Sequence, residues 1–218
     1  MRRASATAVA LATLLAAASG CVAFHRPAPV PGQRQGAWAE IRDVATRRYL
    51  LYDGVTHRAT ATAAHLTPAV REARVRRLAE WRSWTDAEVE NQLAIERVAA
   101  ATGEEEFLVA FYTAQLRNND LDAKESIWQV SIRRGGTEVV ASEIHSVRSD
   151  AEVRNLFPWI GPFDTIYRIR FAPLPGGPLG DQGFVLAIAG AVGRLPLDYD
   201  LPPVPNLPLL LPAPPEQR

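Results

Sequence analysis

"EFLVAFY", residues 106–112, alternates with a period of two, and both of its faces are apolar: Phe107, Val109 and Phe111 on one side, Leu108, Ala110 and Tyr112 on the other. A strand with one wet face shows apolar and polar residues in turn, so this pattern predicts a central strand covered on both sides. Downstream, residues 127–134 alternate more strictly, with Trp128, Val130 and Ile132 opposite Gln129 and Ser131. Gly135-Gly136 then turns the chain into a partner strand over 137–147. Ser149 and Glu152 have the spacing of a capping box, which predicts one helical turn ending near Phe157. Tyr167, Ile169 and Phe171 alternate with Arg168 and Arg170, and a Gly/Pro loop over 172–183 leads to an apolar run, 184–190, and a last strand over 192–199.

Upstream of the central strand the signals are mixed. Trp38, Ile41 and Ala45 recur at helical spacing within 37–48. Asp53-Gly54 lies between two runs rich in Tyr, Val and Thr and predicts a hairpin over 48–66. Thr67-Pro68 opens a helix with proline at its first position, where the missing N–H costs nothing. Val70, Ala73, Leu78 and Trp81 form its apolar stripe, and Thr85 with Glu88 starts a second helix that Thr102-Gly103 stops. Helices grouped in a pair over 68–102, before the third strand, exclude a parallel βαβ sheet. The expected fold is α+β: mainly an antiparallel β-sandwich of seven or eight strands, compatible with an immunoglobulin-like topology, carrying the helical hairpin on one face or end. The alternative is an open antiparallel sheet covered by helices on one side.

The chain has 218 residues, 24 basic and 24 acidic, and a single cysteine. Balanced charge gives no reason to expect nucleic acid as a partner. One cysteine cannot form an intrachain disulfide, so packing must supply the stability. Met1-Arg2-Arg3 is followed by the apolar stretch 4–18 and then by Ser19, Gly20 and Cys21. Such a stretch is short for a membrane span, which needs about 20 residues. Residues 1–21 resemble the lipobox signal peptide of bacterial lipoproteins. The resemblance implies cleavage between Gly20 and Cys21, acylation of the Cys21 thiol, and anchoring of the mature chain to a membrane. An ordinary secretory signal would instead leave Cys21 as a free thiol. Val22 stands where aspartate resembles an inner-membrane retention signal, so the outer membrane is favoured. Residues 21–36 read as a Pro/Gly tether, and 37–201 as one globular domain. The tail, 202–218, holds seven prolines among its 17 residues together with Leu207, Leu209, Leu210 and Leu211. That composition suits polyproline II lying along the domain or meeting a partner.

Chemistry is sparsely signalled. His25, His57, His65 and His145 are far apart in sequence and read as lone surface or edge residues. Asp120 and Asp122, in the oxygen-rich loop 118–125, are the nearest approach to a cation site, but EF-hand spacing is absent and turn geometry explains them. No nucleophile or phosphate-loop motif occurs, so no catalytic residue and no cofactor is predicted. Arg71, Arg74, Arg76, Arg77 and Arg82 crowd one helix against Glu72 and Glu80, and form either a solvated helix face or a contact surface for an anionic polymer or headgroup. Trp159, in the apolar segment 156–163, is either a further contact residue or part of a plug for the open end of the sheet. The expected function is a lipid-anchored, noncatalytic binding module of the cell envelope. The alternatives are an assembly accessory docking through the Pro/Leu tail or the arginine-rich helix, and a hydrolase of an envelope polymer.

Overall fold

A computed structural model describes residues 36–180 and 182–202. Gly20, Cys21, His25, Asp181 and the tail beyond Pro202 lie outside the described residues. Among the described residues nine strands form two antiparallel sheets, and four α-helices accompany them. In chain order these are α1 (Gly36–Val44), β1 (Thr46–Asp53), β2 (Thr56–His65), α2 (Pro68–Arg82), α3 (Asp86–Ala101), β3 (Glu105–Thr113), β4 (Trp128–Arg134), β5 (Thr137–Val140), β6 (Glu143–Val147), α4 (Ala151–Leu156), β7 (Thr165–Phe171), β8 (Val185–Gly190) and β9 (Gly193–Asp198). The five-stranded sheet runs β1-β2-β3-β7-β6 and the four-stranded sheet β5-β4-β8-β9.

Setting β1 aside, the orders β2-β3-β7-β6 and β5-β4-β8-β9 are the A-B-E-D and C′-C-F-G orders of the immunoglobulin sandwich, with every neighbouring pair antiparallel. The expected sandwich is therefore present, with the helical hairpin inserted between the first two strands of that order. The ninth strand arises where one long strand was expected over 137–147. Ala141 N donates to Val130 O in one sheet, and Ser142 N donates to Arg170 O in the other. The chain changes sheets between adjacent residues and so divides into β5 and β6, a step that alternation along one strand cannot reveal.

The central strand is covered on both sides, as its pattern requires. Phe107, Val109 and Phe111 meet Ala59, Ala61 and Ala63 of β2, Ile169 and Phe171 of β7, and Val130, Ile132, Leu186, Ile188, Leu195 and Leu197 of the opposite sheet. Leu108 and Ala110 face the other way, beneath Trp38 of α1, Val70 and Ala73 of α2, and Leu156, Phe157 and Ile160. The sheet-covered-by-helices alternative thus describes the outer face of the same sheet, and the molecule has three layers: helices, five strands, four strands.

Several local expectations shift. The hairpin loop is Gly54–Val55, with Asp53 still in β1 and Gly54 at φ +58°. Asp150, rather than Ser149, caps α4, its Oδ1 accepting from Val153 N at 2.9 Å, while Glu152 pairs with Arg82. Thr85 and Glu88 do form the reciprocal capping box. Segment 156–163 does not plug the end of the sandwich; Leu156, Phe157 and Ile160 bury themselves on the outer face of the sheet, and Phe163 is exposed. The ends of the inner core are closed instead by Leu121 from the loop after β3 and by Leu174 and Leu179 from the loop after β7. In the first of these loops Asn118 O accepts from the indole N–H of Trp128 at 2.6 Å, and Asn119 O accepts from the Tyr167 hydroxyl at 2.9 Å.

Candidate functional site

The end of β2 is where the inner core opens toward solvent. The strand stops at His65 because Thr67 turns the chain into α2, its Oγ1 accepting from Val70 N at 3.2 Å with Pro68 in the first turn. His65 pairs across the sheet with Phe107, and its ring stacks on that phenyl with centroids 4.6 Å apart. Two further rings, Phe184 and Tyr199, meet it edge-on at 5.5 and 6.2 Å and stack on each other at 4.4 Å. The imidazole is only 5% exposed, so the expectation of a lone surface histidine fails at this position. His57, by contrast, is half-buried and stacks on Tyr112, and His145 is exposed on the edge strand β6 beside Glu143.

Glu105, the first residue of β3, explains how an imidazole can be held there. Its Oε2 lies 2.7 Å from His65 Nε2, and its Oε1 accepts from Leu179 N at 2.7 Å. Burial alone would raise the carboxyl pKa, but hydrogen bonds from His65 and Leu179 and the charges of His65 and Arg134 outweigh it and hold it below its ordinary value. An ionised carboxylate only accepts, so the proton between the two groups belongs to Nε2. Nδ1, the other ring nitrogen, has no hydrogen-bond partner among the described residues.

The pair sits at the junction of two adjoining cavities of about 470 and 440 Å³, which share His65, Thr67, Ala69 and Gly180. Ile41, Val44, Ala45, Val70, Phe184 and Tyr199 give the larger of them an apolar lining. Arg47 also borders this space, but its guanidinium is spent: it donates to Val44 O, Thr46 O and Asp198 O at 2.8, 2.9 and 3.0 Å and lies over the Tyr199 ring at 4.9 Å. Burial lowers the pKa of Arg47 and raises that of the Tyr199 hydroxyl, which donates to Ala63 O at 2.9 Å. The cleft is therefore mainly apolar, with one oriented imidazole at its base.

Acid weakens the Glu105 contribution. A carboxyl with a depressed folded-state pKa stabilises the fold fully above its unfolded pKa, about 4.3, and that stability disappears as pH falls through the lower folded value. The stability difference between wild type and Glu105→Gln, read from urea midpoints, is expected to shrink as pH falls below about 4. A difference that grows below about pH 4 would contradict a carboxyl held ionised by its partners.

On the arginine-rich helix Arg76 and Arg82 are exposed, but Arg71 is buried and Arg74 and Arg77 are mostly covered, so the contact surface expected at those three is not presented. Arg71 is 8% exposed and donates to Leu66 O, to Glu96 at 3.1 Å and to Glu106. Arg74 pairs with the other oxygen of Glu96 at 2.6 Å. Arg76 pairs with Glu72, Arg77 with Glu80, and Arg82 with Glu152. Glu106 is buried and also faces Arg168 at 2.8 Å and Arg170 at 3.8 Å, the latter joined to Glu143 at 3.0 Å. Alternating charges thus run from the edge strand β6 through the sheet to α3, fastening the helical hairpin to the outer face. Arg71 and Arg74 are structural ties; Arg77 is mostly covered, packed over Trp81 at 4.9 Å. Trp159 is half-buried, and its indole N–H has no hydrogen-bond partner among the described residues.

Asp120 and Asp122 serve turns. Asp120 accepts from the Ser126 hydroxyl at 3.1 Å, and Asp122 accepts from Ser146 N at 3.1 Å, tying the loop to β6. Among the described residues no three His, Cys, Asp or Glu side chains gather as a metal site. Comparisons of the chain with protein-family models, with curated proteins and with solved structures gave no match. What fold and site define is a class: an immunoglobulin-type sandwich with an inserted helical hairpin and an apolar cleft built on a Glu–His pair. Sequence reasoning missed that pair because β2 and β3 are separated by the whole hairpin, and only their register brings residues 65 and 105 together.

Proposed function

We propose that this chain is a lipid-anchored protein of the bacterial cell envelope, favouring the outer membrane, whose sandwich domain is a noncatalytic binding module. The observation that carries this reading is Cys21, a lone thiol placed directly after the apolar stretch 4–18 and the small residues Ser19 and Gly20. An acylated thiol would leave the domain itself free of membrane-spanning needs. Among the described residues no helix is long and apolar enough to cross a membrane. Support for a binding module comes from the cleft at His65, which is apolar, concave and of small-molecule size.

Two long acyl chains suffice for stable membrane attachment, each buried methylene contributing about 0.8 kcal/mol. Labelled palmitate is therefore expected to enter the wild-type chain and not Cys21→Ala, and the variant is expected to leave the membrane fraction almost completely. Equal partitioning of the two forms would remove the anchor.

A further inference from the structure

We propose that the cleft at His65 binds an uncharged small molecule with an apolar body and a hydroxyl group, and that the hydroxyl donates a hydrogen bond to His65 Nδ1. This rests on the reading of the domain as a binding module and not on the anchor. The carrying observation is a buried imidazole with one nitrogen engaged and one unengaged. Nε2 is held at 2.7 Å by Glu105, whose second oxygen is held in turn by Leu179 N–H, so the ring is fixed in tautomer and orientation. Nδ1 is left as a lone-pair acceptor with no donor among the described residues, in a side chain that borders both cavities. Nδ1 is reachable from the cleft and not sealed away, so a hydroxyl donor can engage it while the apolar body of the ligand leaves water.

Charge and shape narrow the ligand class. The carboxylates of Glu40, Glu104 and Glu105 border the cleft, while the two arginines there, Arg47 and Arg71, are committed to carbonyls and carboxylates. An anion would meet repulsion without a free positive partner among the described residues. A cation would find both oxygens of the buried carboxylate already engaged, by His65 Nε2 and Leu179 N, and the exposed Glu40 offers little in water. A neutral hydroxyl carries the donor that Nδ1 needs and an oxygen that can accept in return. Thr67 could serve that oxygen, because its own Oγ1 accepts from Val70 N and keeps its proton to donate. Beyond the polar base, Ile41, Val44, Ala45, Val70, Phe184 and Tyr199 give an apolar lining that suits a flat or branched hydrocarbon.

The test uses the whole chain in detergent and two probes of similar shape, p-cresol and 4-methylanisole, of which only the first has a donor. Saturable binding of p-cresol by calorimetry, at least tenfold tighter than 4-methylanisole, is expected, with chemical-shift changes at the His65 ring. Ala69→Trp, at an exposed position common to both cavities, is expected to abolish binding while the thermal transition stays in place. His65→Phe is expected to bind the two probes equally. If that variant does not fold, the probe comparison and Ala69→Trp still decide. Equal affinity of wild type for both probes, binding unaffected by Ala69→Trp, or no saturable binding would each overturn the ligand assignment. Failure of this kind with Cys21-dependent partitioning intact removes the ligand class alone; lost partitioning with p-cresol binding intact removes the anchor alone.

Discussion

Glu106→Gln is expected to destabilise the protein by about 3 kcal/mol, because leaving a buried arginine short of its carboxylate costs roughly 3–5 kcal/mol. Arg71 has a side chain only 9% exposed, and the substitution leaves it with Glu96 as its one ionic partner while Arg168 and Arg170 lose theirs on β3. For a domain of this size the loss corresponds to a fall of about 6–12 °C in the melting temperature. The damage should concentrate at the junction of the sheet with the helical hairpin, so amides of α2 and α3 are expected to exchange faster than those of β4 and β8. A Glu106→Leu, Arg71→Met double variant should cost less than the sum of its single changes, since it removes the stranded charge along with its partner. A melting temperature for Glu106→Gln within about 1 °C of wild type would show that the buried charges are solvated well enough not to need each other.

The second large effect is expected at Phe107, where the inner core and the cleft share one side chain. Its ring is fully buried, carries the stacked imidazole of His65 and meets Phe171, Phe184 and Tyr199 at centroid distances of 5.9 to 6.0 Å. Phe107→Ala should cost about 3–5 kcal/mol, the transfer free energy of the ring plus that of a cavity whose rim is sheet backbone and cannot collapse. Phe107→Leu should recover part of this. Because the phenyl is also the floor beneath His65, the alanine variant is expected to broaden or shift the His65 ring resonances even below the denaturation midpoint. A loss under about 1 kcal/mol would mean that the neighbouring aromatic rings repack into the space.

The two predictions fall on opposite faces of one strand, and they differ in how far a sequence could anticipate them. Phe107, Val109 and Phe111 are identifiable as core from alternation alone, because a period of two with apolar residues on both sides has few other physical meanings. Glu106 interrupts that alternation on the face of Leu108 and Ala110, and nothing local says whether it is solvated or buried. Its burial is decided by Arg71, 35 residues away, together with two arginines of β7. The arginine cluster of α2 likewise looked like a surface for anions, since a sequence displays charges without their partners. In the folded chain each of those arginines has found a carboxylate.

Local chemistry by itself determined the helical hairpin with its caps at Thr67 and Thr85, the turn at Gly54, the antiparallel class and the two-faced central strand. Each of these depends on neighbours within a few residues, where spacing is set by the covalent chain. The lone Cys21 after its apolar stretch is local in the same sense, which is why the anchor could be proposed from 21 residues. Only the tertiary structure decided that the chain would change sheets between Ala141 and Ser142, that Arg71 would turn inward, and that His65 would lie against Glu105. Those outcomes depend on the register between strands many residues apart, and register is a collective property of the packed core that no single segment encodes.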